Sequence, residues 1–202
     1  MKHKISRELF EYWNRRRQGK KVPDRSDIEP YDFGRKLVET FLLDIDRAGE
    51  AHFRFCGSSL ANRYGRDMTG ESFLLAWPME DRAQIQNHFV VMMQSGHGFV
   101  AGMAAETAGG GVINYEITVL PLRGEREINQ AIGSLVRIGG HDETNRVRDR
   151  IVGQTLRSVR VLEDQDRAFL EPRDITHKLP PVPRPSHVRK HYGHLAVING
   201  EK

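Results

Sequence analysis

The chain has 202 residues, 38% of them hydrophobic, a net charge of +4 and a single cysteine, Cys56. That length suits one domain with appendages. The lone cysteine excludes an internal disulfide and an all-cysteine metal site, and no window approaches the ~20 uninterrupted apolar residues of a membrane span. Met1-Lys2-His3-Lys4 is basic, but Ile5-Ser6-Arg7-Glu8 follows where a secretory signal would turn apolar, so a cytoplasmic location is expected. Residues 1–26 hold nine Lys/Arg against three Asp/Glu, and residues 171–202 hold six against three. The basic character therefore lies at the two ends, whereas a nucleic-acid binder carries it on the folded reading surface.

In chain order, Ile5, Leu9, Tyr12 and Trp13 fall at i, i+4, i+7 and i+8, which predicts a helix over 5–18 with one apolar stripe. Arg15, Arg16 and Arg17 suit its last turn, and Gly19 stops it. Val22 to Pro30 reads as a connector of turn and cap residues, with Pro30 opening a short helix to about Lys36. Two strands follow, Leu37–Asp46 and His52–Cys56, joined by Arg47-Ala48-Gly49-Glu50. In the second, simple alternation puts Phe53 and Phe55 on one face and Arg54 on the other.

Gly57-Ser58-Ser59 predicts an N-cap for a helix through Tyr64 that Gly65 closes. A short helix begins near Gly70-Glu71-Ser72, carries Phe73, Leu74 and Trp77, and ends at Pro78. A longer one runs from Glu80 to Ser95 with Ile85, Phe89, Met92 and Met93 as its stripe and Gly96 as its stop. Three strands follow: Phe99–Thr107, rich in small residues, Val112–Leu122 and Ile128–Ile138. Gly109-Gly110-Gly111 joins the first two. A phosphate-binding reading fails there because no helix follows it. Residues 142–150 are highly charged, 151–162 suit either a short strand or a helix, and 171–202 mix prolines, basic residues and histidines in a composition that predicts a flexible tail.

The stretches Leu9-Phe10-Glu11-Tyr12-Trp13-Asn14, Pro23-Asp24-Arg25-Ser26-Asp27-Ile28, Phe41-Leu42-Leu43-Asp44 and Phe53-Arg54-Phe55-Cys56-Gly57 resemble a family of small stand-alone bacterial PAS proteins. Tyr64-Gly65-Arg66-Asp67, Gly70-Glu71-Ser72-Phe73 and Leu120-Pro121-Leu122-Arg123 continue the likeness, which covers roughly residues 5–138. The resemblance implies an α+β fold: a five-stranded antiparallel sheet with helices on one face and a flanking N-terminal helix. It also implies signalling without catalysis, through ligand sensing, partner docking or dimerisation, and some relatives are linked to motility and cell-cycle control. It implies no fixed cofactor. The expected parts are an N-terminal helix and connector (1–36), a PAS-like domain (37–138), a charged extension (139–170) and a basic tail (171–202).

The aromatics Phe55, Phe73, Trp77 and Tyr115 read first as core. A small-molecule pocket, where one exists, is expected among Phe55, Phe73, Trp77, Phe89, Met92 and Met103, with His88 and Tyr115 as further candidates. Haem binding would rest on His88 alone, because imidazole is an ordinary axial ligand; no cofactor is otherwise expected. Cys56 lacks a flavin-binding setting and reads as a small buried hydrophobe. The segment Arg15–Arg17 with Asp24–Ser26 resembles the arginine and Asp-x-Ser elements of cyclic-dinucleotide modules, yet Glu29 stands at the position of the motif's glycine. His177, His187, His191 and His194 lack the close spacing of a zinc site.

The expected function is thus a non-catalytic regulatory module for a small ligand or a partner signalling protein. Ile5, Leu9, Tyr12 and Trp13 need a cover, and a homodimer through that helix is the expected one. The alternative is an acidic partner or nucleic acid held by the basic ends. An enzyme ranks last, since no nucleophile–base pair or carboxylate dyad stands out.

Overall fold

The computed structural model describes residues 1–139 and 148–163. The tail expected over 171–202 lies outside these residues, as does part of the 139–170 extension. Six strands form one antiparallel sheet in the order β2-β1-β5-β4-β3-β6: β1 Thr40–Ile45, β2 Ala51–Cys56, β3 Phe99–Thr107, β4 Val112–Arg123, β5 Ile128–Arg137 and β6 Ile151–Val161. The α+β arrangement implied by the resemblance is present, with six strands instead of five. The sheet also runs past residue 138. Strand β6 alternates only loosely between apolar and polar residues, which left its type open in the sequence; pairing with β3 along its whole length decides it.

Both faces of the sheet are covered. On one side lie α2 (Ser58–Tyr64) and α3 (Met79–Ser95), closing over Phe41, Leu43, Phe53, Ile113, Tyr115, Ile117 and Val119. On the other side α1 (Lys4–Arg16) sets Leu9, Phe10, Tyr12 and Trp13 against Leu120, Leu122 and Ile132. Alternation along β4 produces this division, because odd positions enter the first core and even positions the second. Each large side chain so covered stabilises the fold by about 1.5–3 kcal/mol relative to exposure.

Several ends differ from the sequence expectation. Helix α1 stops at Arg16, and Gln18 and Gly19 turn the chain with φ of 46° and 83°. Leu37 and Val38 belong to a 3-10 segment, Pro30–Glu39, broken at Gly34, and not to β1. A bulge between Leu42 and Leu43 pairs Leu42 with Phe55 but Leu43 with Phe53, leaving Arg54 as the extra residue. One inserted residue reverses the faces that follow. Phe53 and Phe55 therefore lie on opposite sides of the sheet, contrary to simple alternation.

Gly133 shows how closely the sheet is packed. A Cβ there would overlap the Phe41 ring and lie 2.5 Å from the Thr118 carbonyl oxygen, an atom that cannot move aside without breaking the sheet. Gly133→Ala is expected to lower stability by about 1–3 kcal/mol in urea denaturation. An unchanged midpoint would contradict this register.

Candidate functional site

The core between the sheet and α3 holds most of the residues expected to form a pocket. Phe73, Trp77, Phe89, Met92, Met103 and Tyr115 are buried in one cluster. The backbone of Glu71–Phe73 folds back on β2: Phe53 N–H donates to Glu71 O (3.0 Å) and Phe73 N–H to Ala51 O (2.7 Å). This pairing fixes Phe73 and covers the outer edge of β2, a protection that exposed edges require. Ser72 then accepts from Leu74 N–H (3.2 Å) and Leu75 N–H (3.3 Å) while its hydroxyl donates to Glu50. Those bonds hold the start of the short 3-10 turn Leu74–Ala76, which delivers Trp77 to the core.

Phe73 is the hub of the aromatic cluster. Its ring centroid lies 5.6 Å from Phe53, 6.1 Å from Trp77 and 5.4 Å from Phe89, the last edge-to-face. Phe89 meets Phe99 at 5.5 Å. Within this apolar setting Trp77 is only 3% exposed, yet among the described residues its indole Nε1 has no hydrogen-bond partner. Buried indole N–H groups ordinarily find an acceptor, and an unmet donor costs about 1–3 kcal/mol. Trp13, by contrast, donates its Nε1–H to Pro121 O at 2.7 Å.

Two expected pocket residues lie elsewhere. The bulge turns Phe55 to the α1 side of the sheet, beside Leu42. His88 stands at the rim of α3, with Nδ1 2.8 Å from Gln84 O and its ring edge against Phe99 at 5.7 Å. Cys56 is half-buried and packs on the first core. Burial pushes its thiol up from the usual range, so the thiolate that nucleophilic chemistry needs is disfavoured. Burial also pushes the phenols of Tyr64 and Tyr115 up. Among the described residues no group of three or more His, Cys, Asp or Glu side chains is placed to hold a metal ion.

The stripe on α1 has its cover within the chain. Leu9, Tyr12 and Trp13 are buried against the chain's own sheet and connector, with Ile5 partly exposed. The Tyr12 hydroxyl donates to Asp32 (2.8 Å) and accepts from Glu29 N–H (3.1 Å). A homodimer through those four side chains would have to break this seam. The basic run beside it is also engaged internally: Arg16 pairs with Asp32, Arg17 lies over the Trp13 ring, Lys20 reaches Asp24 at 2.6 Å, and Lys21 donates to Gln94 O at 2.7 Å. Asp24, the first residue of the expected Asp-x-Ser element, instead ends in that pairing and in a cap for Arg25–Asp27.

Two polar residues of consequence were not expected. Glu116, mid-strand in β4 and 3% exposed, accepts from Lys2 N–H (2.6 Å) and His3 N–H (3.0 Å), just ahead of α1. A single carboxylate on the face it shares with Asn114 and Thr118 was its only sequence signal. Burial pushes its carboxyl up, but those two amides, together with the Ser6 side chain and the positive charge of the N-terminus, hold it below the ordinary carboxylate range. Because the folded-state value is the lower one, the stability it contributes is present above the unfolded value. It is lost as pH falls through the folded value. Between pH ~5 and ~3 the wild type should lose more stability than Glu116→Gln; equal slopes in urea titrations would contradict the assignment. The second residue is Gln154 on β6, buried with its Oε1 accepting from the Tyr64 hydroxyl at 2.8 Å and its Nε2 without a partner among the described residues.

Residues 1–136 match a family model described as PAS domain. The chain belongs to the PAS domain family. The PAS domain of an HTR-like protein from Haloarcula marismortui is similar at 14% identity and a TM-score of 0.38, over 54% of this chain and 93% of that one. A structure titled "VqmA bound to DPO" is similar at 13% identity and a TM-score of 0.35, over 49% of this chain and 51% of that one. A Vibrio cholerae VqmA dimer solved without its target DNA is similar at 13% identity and 0.39, over 55% and 52%. The chain thus spans about half the length of the two VqmA chains. No curated protein matches it. PAS domains serve sensory and regulatory roles and commonly mediate dimerisation or partner contacts, and among the described residues no helix is long and apolar enough to cross a membrane.

Proposed function

We propose that this PAS domain is a non-catalytic sensor that admits a small, largely apolar molecule carrying one hydrogen-bond acceptor into the core beside Trp77. The observation that carries this reading is the buried indole N–H, which meets no acceptor among the described residues, set among Phe73, Phe89 and the rest of the aromatic cluster. A ligand acceptor would recover the free energy that the orphaned donor forfeits. Met68, Met92 and Met103 belong to the same cluster, and their unbranched thioether side chains can repack to make room.

Acetophenone, a ring with one carbonyl acceptor, is a suitable probe. It is expected to raise the melting temperature of the wild type and to have little effect on Trp77→Phe, which keeps a ring but lacks the donor. The same rise in both proteins, or none in either, would contradict the reading. Mass analysis of the protein as purified under non-denaturing conditions would identify any molecule it retains.

A further inference from the structure

On the other face of the sheet lies a groove of about 220 Å³ that the core site does not use. Leu42, Phe55 and Ile132 form its floor, and Ile28, Phe33 and Leu37 its wall. Arg25 and Arg54 stand among the lining side chains as its two charged groups. We propose that this groove docks a partner protein through a bulky apolar side chain flanked by carboxylates.

Three observations support that occupant. The first is the bulge at Arg54, which takes Phe55 out of the alternating pattern and sets it, half-buried, in the groove; bulges commonly re-aim a side chain in this way. The second is charge. A guanidinium has five N–H donors. Arg25 is held by a bond to Ile28 O at 3.0 Å, and Arg54 meets Asp44 only at 3.3 Å, with both side chains of that pair largely open to solvent. Asp44 also accepts from Gln130 Nε2 at 2.7 Å, so it is shared. Among the described residues these contacts leave both arginines with donors for an incoming carboxylate, which they can grip in a planar fork. The third is size. Small-molecule sites run to about 300–1,000 Å³, whereas this groove suits one anchoring side chain at the centre of a protein interface.

The test uses two peptides that differ only in charge, N-acetyl-Asp-Trp-Glu-amide and N-acetyl-Asn-Trp-Gln-amide, added to the full chain labelled with ¹⁵N. The acidic peptide should shift the amide signals of Leu42, Phe55 and Ile132 and bind about fivefold more tightly than the neutral one. Arg25→Gln together with Arg54→Gln should remove that preference; Arg54→Gln alone, at an exposed position, serves where the double variant melts early. Equal binding of the two peptides, shifts confined to core residues such as Phe73 and Trp77, or no shifts at millimolar peptide would overturn the proposal. So would octanoate binding the groove more tightly than the acidic peptide, which would assign it to a free amphiphile. Apart from shifts confined to the core, none of these outcomes bears on acetophenone binding at Trp77, so the two sites are tested separately.

Discussion

Trp13→Ala is expected to cost about 3–5 kcal/mol, the range for removing a large buried aromatic side chain, while leaving the solution mass unchanged. Trp13 is 3% exposed, stacks on Phe10 at 6.0 Å, and donates to the Pro121 carbonyl at 2.7 Å. The change removes the packing and leaves that buried carbonyl without its donor. For a chain of this length the melting temperature should fall by about 10 °C. A lower mass with little loss of stability would place the α1 seam between two copies instead of within one.

Phe89→Ala is expected to have a comparable effect from the opposite face. Phe89 is fully buried, edge-on to both Phe73 and Phe99. Truncation should cost about 3–5 kcal/mol, of which the cavity itself is part. A dry apolar cavity of that kind takes up small aromatic molecules. Benzene should therefore raise the melting temperature of Phe89→Ala more than that of the wild type. A core that collapsed onto the gap would show a smaller loss and no such rescue, and Phe89 would then not be a fixed point of the aromatic cluster around Trp77.

The two cores explain which parts of the protein were legible from its sequence. Among the described residues the sequence pattern located the three α-helices and five strands, because the sides of β4 and the stripes of α1 and α3 follow spacing alone. Their partners did not follow from it. The stripe on α1 looked like a surface in need of a second copy, since nothing local shows that the even positions of β4 and β5 are apolar enough to receive it. Leu120, Leu122 and Ile132 do so in the folded chain.

Other misses have local causes. A bulge carries no mark in alternation, so Phe55 was expected beside Phe53 and is found across the sheet. His88 occupies the edge of the α3 stripe, where a difference of one helical turn cannot say whether a ring points inward; its bond to Gln84 O and its contact with Phe99 keep it at the rim. Glu116 looked like one polar residue on a solvated face. Its role becomes visible only once α1 lies over that face and presents two backbone N–H groups to it. The aromatic part of the candidate site was legible because large apolar side chains in short helices are drawn to a core. The orphaned donor of Trp77 was not, since satisfaction of a buried polar atom depends on every neighbour in three dimensions.

The most direct test of the sensor reading is the ¹⁵N spectrum of the tryptophan indoles during titration with acetophenone. The chain has two tryptophans, and the structure sets them apart: Trp13 is bonded to Pro121 O, while Trp77 meets no acceptor among the described residues. The account predicts that the Trp77 indole proton moves downfield and saturates as the ketone binds, while the Trp13 signal stays in place. A Trp77 signal that does not move, or that moves in step with Trp13, would contradict it.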